Sequence, residues 1–179
     1  LPRVWAVTDT EGQQRRDVVA FFNYDKQSRQ YSEPTGRLEL PKADAYVAFD
    51  YWGDALLPTF TQNLKANVDG QSCTVFSVRP VSAHPQVIST SRHITQGVVD
   101  IEGEQWDAPQ KTLSGRSAVV GGDSYELRVT TGLKGGWHNI KRVSVSQADR
   151  NAGVEIEVTE QTDRLIRVAI ESPENRQVE

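Results

Sequence analysis

The sequence predicts an all-β chain organised as two consecutive antiparallel β-sandwich domains. Three observations lead there. Apolar residues recur at every second position or in short continuous runs, no stretch sustains a helical period, and clusters of turn formers separate the runs. At 179 residues, against ~100–200 residues per domain, the chain holds one domain or two small ones and has no room for a large catalytic barrel. A hydrophobic share of 37% with 25% charged residues and a mean hydropathy of -0.54 belong to a globular chain able to build a core.

In the first half, Asp17-Val18-Val19-Ala20-Phe21-Phe22-Asn23-Tyr24 is an apolar run ending in turn formers, the pattern of a strand buried on both faces. Ala45 to Trp52 is a second such run. Arg37-Leu38-Glu39-Leu40-Pro41 fits a short helical turn or an edge segment. Leu64, Ala66 and Val68 alternate with polar residues, and Asp69-Gly70 then suggests a hairpin into Cys73 to Val78. The stretch Arg79-Pro80-Val81-Ser82-Ala83-His84-Pro85 carries two prolines that cannot donate to a ladder, so it marks a linker. The domains expected are therefore residues 1–83 and 84–179. Core chemistry changes across that boundary. All aromatic residues but Trp106, Tyr125 and Trp137 precede it, and most of the glycines follow it.

Beyond the linker the alternation is cleaner: Tyr125, Leu127 and Val129; Val143 and Val145; Val154, Ile156 and Val158; Ile166, Val168 and Ile170. Gly121-Gly122-Asp123, Gly132 to Gly136, Ala148 to Gly153 and Glu160 to Asp163 supply the turns. That spacing is expected of an Ig-like sandwich. No internal repeat relates the two halves.

Function is constrained mainly by exclusion. A formal charge of -4 opposes the basic face that nucleic acid requires, and no apolar run approaches the ~20 residues of a bilayer span, so neither nucleic acid nor membrane is an expected partner. The start at Leu1 lacks a signal-peptide pattern, and the absence of any Met suggests an excerpt or processed piece of a longer protein. The lone Cys73 leaves the compartment open. Gly115-Arg116-Ser117-Ala118-Val119 lacks the closing glycine of a serine-hydrolase elbow. Cys73, His84, His93 and His138 have no metal-ligand spacing, and Asp100-Ile101-Glu102-Gly103-Glu104 misses the glycine position and terminal Glu of a calcium loop. Its carboxylates are expected on a solvated strand face. No carboxylate pair suited to glycoside hydrolysis and no phosphate loop stands out. No metal, cofactor or catalytic residue is assigned.

Recognition chemistry remains. Aromatic rings flanked by hydrogen-bonding side chains stack on the C–H faces of sugars, and two places have that make-up: Trp137, His138 and Asn139 on a glycine-rich loop, and Trp52 at the end of a strand run. These are the candidate carbohydrate-binding residues.

The order of Asp17 to Asp25, Arg37 to Pro41, Tyr46 to Gly53 and Gly70 to Pro80 resembles the C-terminal β-sandwich of bacterial α-galactosidase-type (melibiase-like) glycoside hydrolases. Those proteins carry "VVALFNW", "LGLP" and "DFW" segments in this order. Tyr24 and Glu39 depart from the family's usual Trp and Gly. The likeness covers roughly residues 3–80; Ile88 to Gly97 is similar to a segment that follows this sandwich in some bacterial relatives. The resemblance implies a non-catalytic accessory region whose partner is the catalytic barrel of the parent chain, in a bacterial periplasmic or extracellular setting. An exposed apolar patch on the first sandwich is then expected where that barrel docks. The alternative is a stand-alone carbohydrate-binding or adhesion module.

Overall fold

A computed structural model describes residues 1–10, 14–134 and 139–179. The chain is all-β, with 51% strand and 3% helix, and its paired strands are antiparallel throughout the described residues. It divides into two compact units, one made of Leu1–Asp9 with Arg15–Val81 and the other built on Ser82–Glu179.

The first unit contains β1 (Val4–Asp9), β2 (Arg16–Asn23), β3 (Arg29–Pro34), β4 (Tyr46–Asp50), β5 (Ala55–Leu56), β6 (Asn63–Val68) and β7 (Ser72–Pro80). Five of them form a sheet in the order β1-β2-β7-β4-β5, and β3 pairs with β6 in a second, two-stranded sheet. Side chains alternate across a strand, so Val19 and Phe21 of β2, Tyr46 and Ala48 of β4, and Phe76 and Val78 of β7 share one face. They bury against Tyr31, Leu64 and Val68 of the small sheet and Leu38 and Leu40 of the turn between β3 and β4. Phe21 lies against both Tyr31 and Phe76, with ring centroids 5.1 and 5.9 Å away.

One local expectation is decided here and one changes. Of the two readings of Arg37 to Pro41 the segment takes the turn, closed by N–H bonds from Leu38 to the Pro34 carbonyl and from Leu40 to that of Thr35. Asp69-Gly70 is not a hairpin, because β6 and β7 belong to different sheets. The corner is tied instead to the segment after β2: the Asn23 amide donates to the Val68 and Asp69 carbonyls, both at 3.0 Å. A Cβ on Gly70 would lie 2.1 Å from the Lys26 carbonyl oxygen, so only glycine fits this crossing.

The second unit contains β8 (Pro85–Thr90), β9 (Ile101–Asp107), β10 (Thr112–Val119), β11 (Tyr125–Thr131), the one-turn helix α1 (Gln147–Asn151), β12 (Glu155–Gln161), β13 (Leu165–Glu171) and β14 (Arg176–Val178). They make sheets in the orders β12-β13-β11-β8 and β14-β10-β9, a four-plus-three division that matches the strand count of a constant-type Ig-like sandwich. Tyr125 and Ile170 from one sheet meet Val119 and Val178 from the other, with Val145 and Val154 completing the cluster.

Val143 and Val145, expected in a strand, lie outside the named strands. Val145 is buried in the core, and the Ser146 that follows spends its backbone N–H on the Glu179 carbonyl and caps α1 with its side chain. Capping supplies what strand pairing would have supplied. The acidic segment also differs from its expectation: Glu102 is exposed, but Asp100 and Glu104 are buried. Gly103, with φ of 61°, interrupts the alternation, and both buried carboxylates accept local hydrogen bonds.

Candidate functional site

The five-stranded sheet of the first unit has a second, outer face whose residues follow from the pairing register. Trp5, Ala20 and Val75 lie in one row across β1, β2 and β7; Val7, Val18, Ser77 and Phe49 lie in the next; Phe22 and Cys73 lie on the other side. Val18, Val75 and Phe49 are buried, but Trp5 is 55% and Val7 57% exposed. Phe22 links Trp5 to the chain beyond β2, with Trp5 edge-on at 6.4 Å and Tyr24 stacked at 6.2 Å. Tyr24 is itself 44% exposed. Apolar side chains are therefore half exposed at Trp5, Val7 and Tyr24, along β1 and just beyond β2, while Val18, Val75 and Phe49 on the same face are covered.

This surface has a fixed geometry. Trp5 Nε1 and the Tyr24 hydroxyl both donate to the Pro2 carbonyl, at 3.3 and 3.1 Å, so each ring has its polar end satisfied and its plane held. The Arg3 guanidinium sits over the Tyr24 ring at 5.6 Å and bonds Asp25 at 3.0 Å, while Arg29 reaches the other Asp25 oxygen at 3.2 Å. The hydrogen bond from Arg3, with the Arg3 and Arg29 charges, holds the Asp25 carboxyl below the usual carboxylate range.

Of the residues singled out for carbohydrate binding, Trp52 is 53% exposed and meets Tyr51 edge-on at 5.0 Å. Its turn is braced by Asp50, whose Oδ1 accepts from the Gly53 N–H at 3.1 Å and the Thr74 hydroxyl at 3.0 Å. Tyr51 donates its N–H to Val75, which places this turn at the end of the Trp5 row. With strands ~4.8 Å apart, Tyr51 stands roughly three strand spacings from Trp5. Trp137 and His138 lie outside the described residues. Asn139 is exposed and accepts a 2.9 Å bond from the Gln161 amide.

Sequence reasoning missed Trp5, Val7 and Phe22 as surface residues. The signal was present: Trp5 and Val7 are two apart, with Ala6 between them, so a strand through Val4–Asp9 puts both on one face.

The second unit concentrates buried polar groups instead. Asp100 accepts from the Thr90 and Tyr125 hydroxyls, both at 2.7 Å, and from the Gly97 N–H at 3.1 Å. Burial, reinforced by the Asp100 charge, raises the Tyr125 hydroxyl far above its ordinary pKa, keeping it protonated and donating. This buried network ties down the loop between β8 and β9 and is closed to substrate. Among the described residues no group of three or more His, Cys, Asp or Glu is arranged to hold a metal ion, and no helix is long and apolar enough to cross a membrane. Comparison with protein-family models, curated proteins and solved structures returns no match for this chain.

Proposed function

We propose that this chain is the non-catalytic accessory C-terminal region of a bacterial glycoside hydrolase resembling the α-galactosidases, and that the outer face of its first sandwich packs on the catalytic barrel of the parent protein. The observation that carries this reading is the half-open aromatic surface of Trp5, Val7, Phe22 and Tyr24. Large apolar side chains gathered on one sheet face mark contact surfaces, whereas scattered ones need no explanation. The ordered likeness of residues 3–80 to the sandwich that follows such a barrel supplies the partner.

The purified chain should not hydrolyse an aryl α-galactoside, and the coding sequence upstream of Leu1 should contain a barrel-length region of alternating strands and helices with carboxylates at strand ends. Turnover by this chain that a point substitution within it abolishes would overturn the reading. So would a start codon immediately before Leu1.

One observation favours a second reading, a carbohydrate-binding module. Trp52 presents a half-exposed indole on a turn braced by Asp50, as a sugar-stacking platform requires. Retardation of the chain by a glycan in affinity electrophoresis, lost in Trp52→Ala, would select it. Unchanged mobility on a full glycan panel would dismiss it.

A further inference from the structure

The first unit has a second feature beside its outer face. Edge strand β1 of the large sheet and strand β3 of the small one leave a groove of about 370 Å³ between them, lined by Pro2, Arg3, Val4, Arg29, Gln30, Tyr31, Ser32, Glu33 and Arg37. Its lining is mostly polar, with apolar surface from Val4 and from the nearly buried Tyr31, whose hydroxyl is spent on the Phe22 carbonyl at 2.6 Å. Its rim carries three guanidiniums. Arg3 stacks on Tyr24 and Arg29 on Tyr31, each at 5.6 Å, and both are pinned to opposite oxygens of Asp25. Arg37 pairs with Glu33 at 3.3 Å while remaining 75% exposed.

This arrangement is unbalanced in a specific way. Arg3, Arg29 and Arg37 face Asp25 and Glu33, which leaves an excess positive charge. A guanidinium presents its N–H edges as a fork that carboxylate and sulfate accept.

The same rim argues against a dense polyanion. Asp25 and Glu33 would repel a row of phosphates, whereas carboxylate acceptors beside guanidinium donors match a polyol, whose hydroxyls both donate and accept. The volume lies at the lower end of ligand sites, enough for a sugar ring with its charged substituent.

We propose that the groove between β1 and β3 binds an acidic saccharide, with the carboxylate or sulfate on Arg3 and Arg29 and the ring hydroxyls on Glu33 and Arg37. This goes beyond the accessory-domain reading and does not depend on it, although Arg3 also holds the Tyr24 end of the outer face.

The test is calorimetric titration of the whole chain with a galacto-oligosaccharide ending in a single galacturonate, the same oligosaccharide bearing a single sulfate, the neutral oligosaccharide of equal length and inorganic sulfate. At least one acidic oligosaccharide should bind at least tenfold more tightly than the neutral one, more weakly as salt rises, and the two acidic arms identify which anion is preferred. Arg29→Gln and Arg37→Ala, both at exposed positions, should each weaken binding about tenfold, while Trp5→Ser leaves it unchanged. Equal binding of acidic and neutral oligosaccharides, no binding of either acidic one, or indifference to both arginine substitutions would overturn the proposal. Inorganic sulfate binding as tightly as the oligosaccharides would overturn it too, by reducing the groove to a simple anion site.

Discussion

The two units solve the same problem, closing a small β-sandwich, with opposite materials. The first packs Phe21, Tyr31, Tyr46 and Phe76 between its sheets and leaves more aromatic surface on the outer face of its large sheet. The second has a smaller apolar cluster and supplements it with buried polar groups, Asp100, Thr90, Tyr125 and Asp149. Its large sheet also carries charge where the first unit carries rings: Glu126 bonds both Arg128 and Arg167, and Arg167 continues to Glu160. The ion pairs of the second unit are largely buried, Arg128 being 8% exposed, so charge there helps to close the unit, whereas the first unit leaves Trp5 and Val7 more than half exposed. The exposed side chains of the first unit are the part of the contrast that supports the docking reading.

The largest effect should come from the apolar side of the contrast. Phe21→Ala removes a fully buried ring that touches two others and should cost about 3–5 kcal/mol, read from amide exchange in β2 and β7. Tyr125→Phe probes the polar side. It deletes one of three donors to the buried Asp100 carboxylate and should cost about 1–3 kcal/mol, read from exchange in β11 and β13. Equal costs would erase the distinction between a core held by rings and one held by hydrogen bonds.

A pH series sharpens the comparison further. Burial raises the Asp149 carboxyl, but the Ser146 hydroxyl, the Glu179 N–H and the Arg176 guanidinium outweigh it and hold the group below its ordinary value. A depressed folded-state pKa gives stability that is complete above the unfolded value of about 3.9 and is lost as pH falls through the folded value. Denaturation midpoints of the second unit should therefore drop on acidification below about pH 4, and Asp149→Asn should flatten that acid limb. An unchanged limb in the variant would place the acid sensitivity elsewhere.

The smallest effect on stability is expected at the outer face of the first sandwich. Trp5→Ser and Val7→Thr alter half-exposed side chains and should move the denaturation midpoint of the isolated chain by less than about 0.5 kcal/mol. A loss as large as that of Phe21→Ala would show that these residues belong to the core.

How much of this was legible in the sequence depended on whether a feature is set by local pattern. The β class, the runs around Val19, Phe49 and Ile170, and a boundary near Pro80 followed from alternation and from proline. The sheet change at Asp69-Gly70 did not, because it depends on Asn23, distant in sequence, holding the corner. Nor did the burial of Glu104, where Gly103 at positive φ breaks the alternation, or of Asp100, which precedes β9 and is held inside by Thr90, Tyr125 and Gly97. Of the candidate site, Trp52 was found because it ends an aromatic run. Trp5 and Phe22 became a surface only once the register of β1 on β2 and of β2 on β7 was known, and the arginine groove joins residues from two different sheets.

Docking by the outer face of the first sandwich is tested most directly by hydroxyl-radical footprinting of Trp5, Tyr24 and Trp52 in this chain alone and in the longest natural protein that contains it. Trp5 and Tyr24 should oxidise readily in the isolated chain and be strongly protected in the longer protein. Equal oxidation in both would contradict docking there.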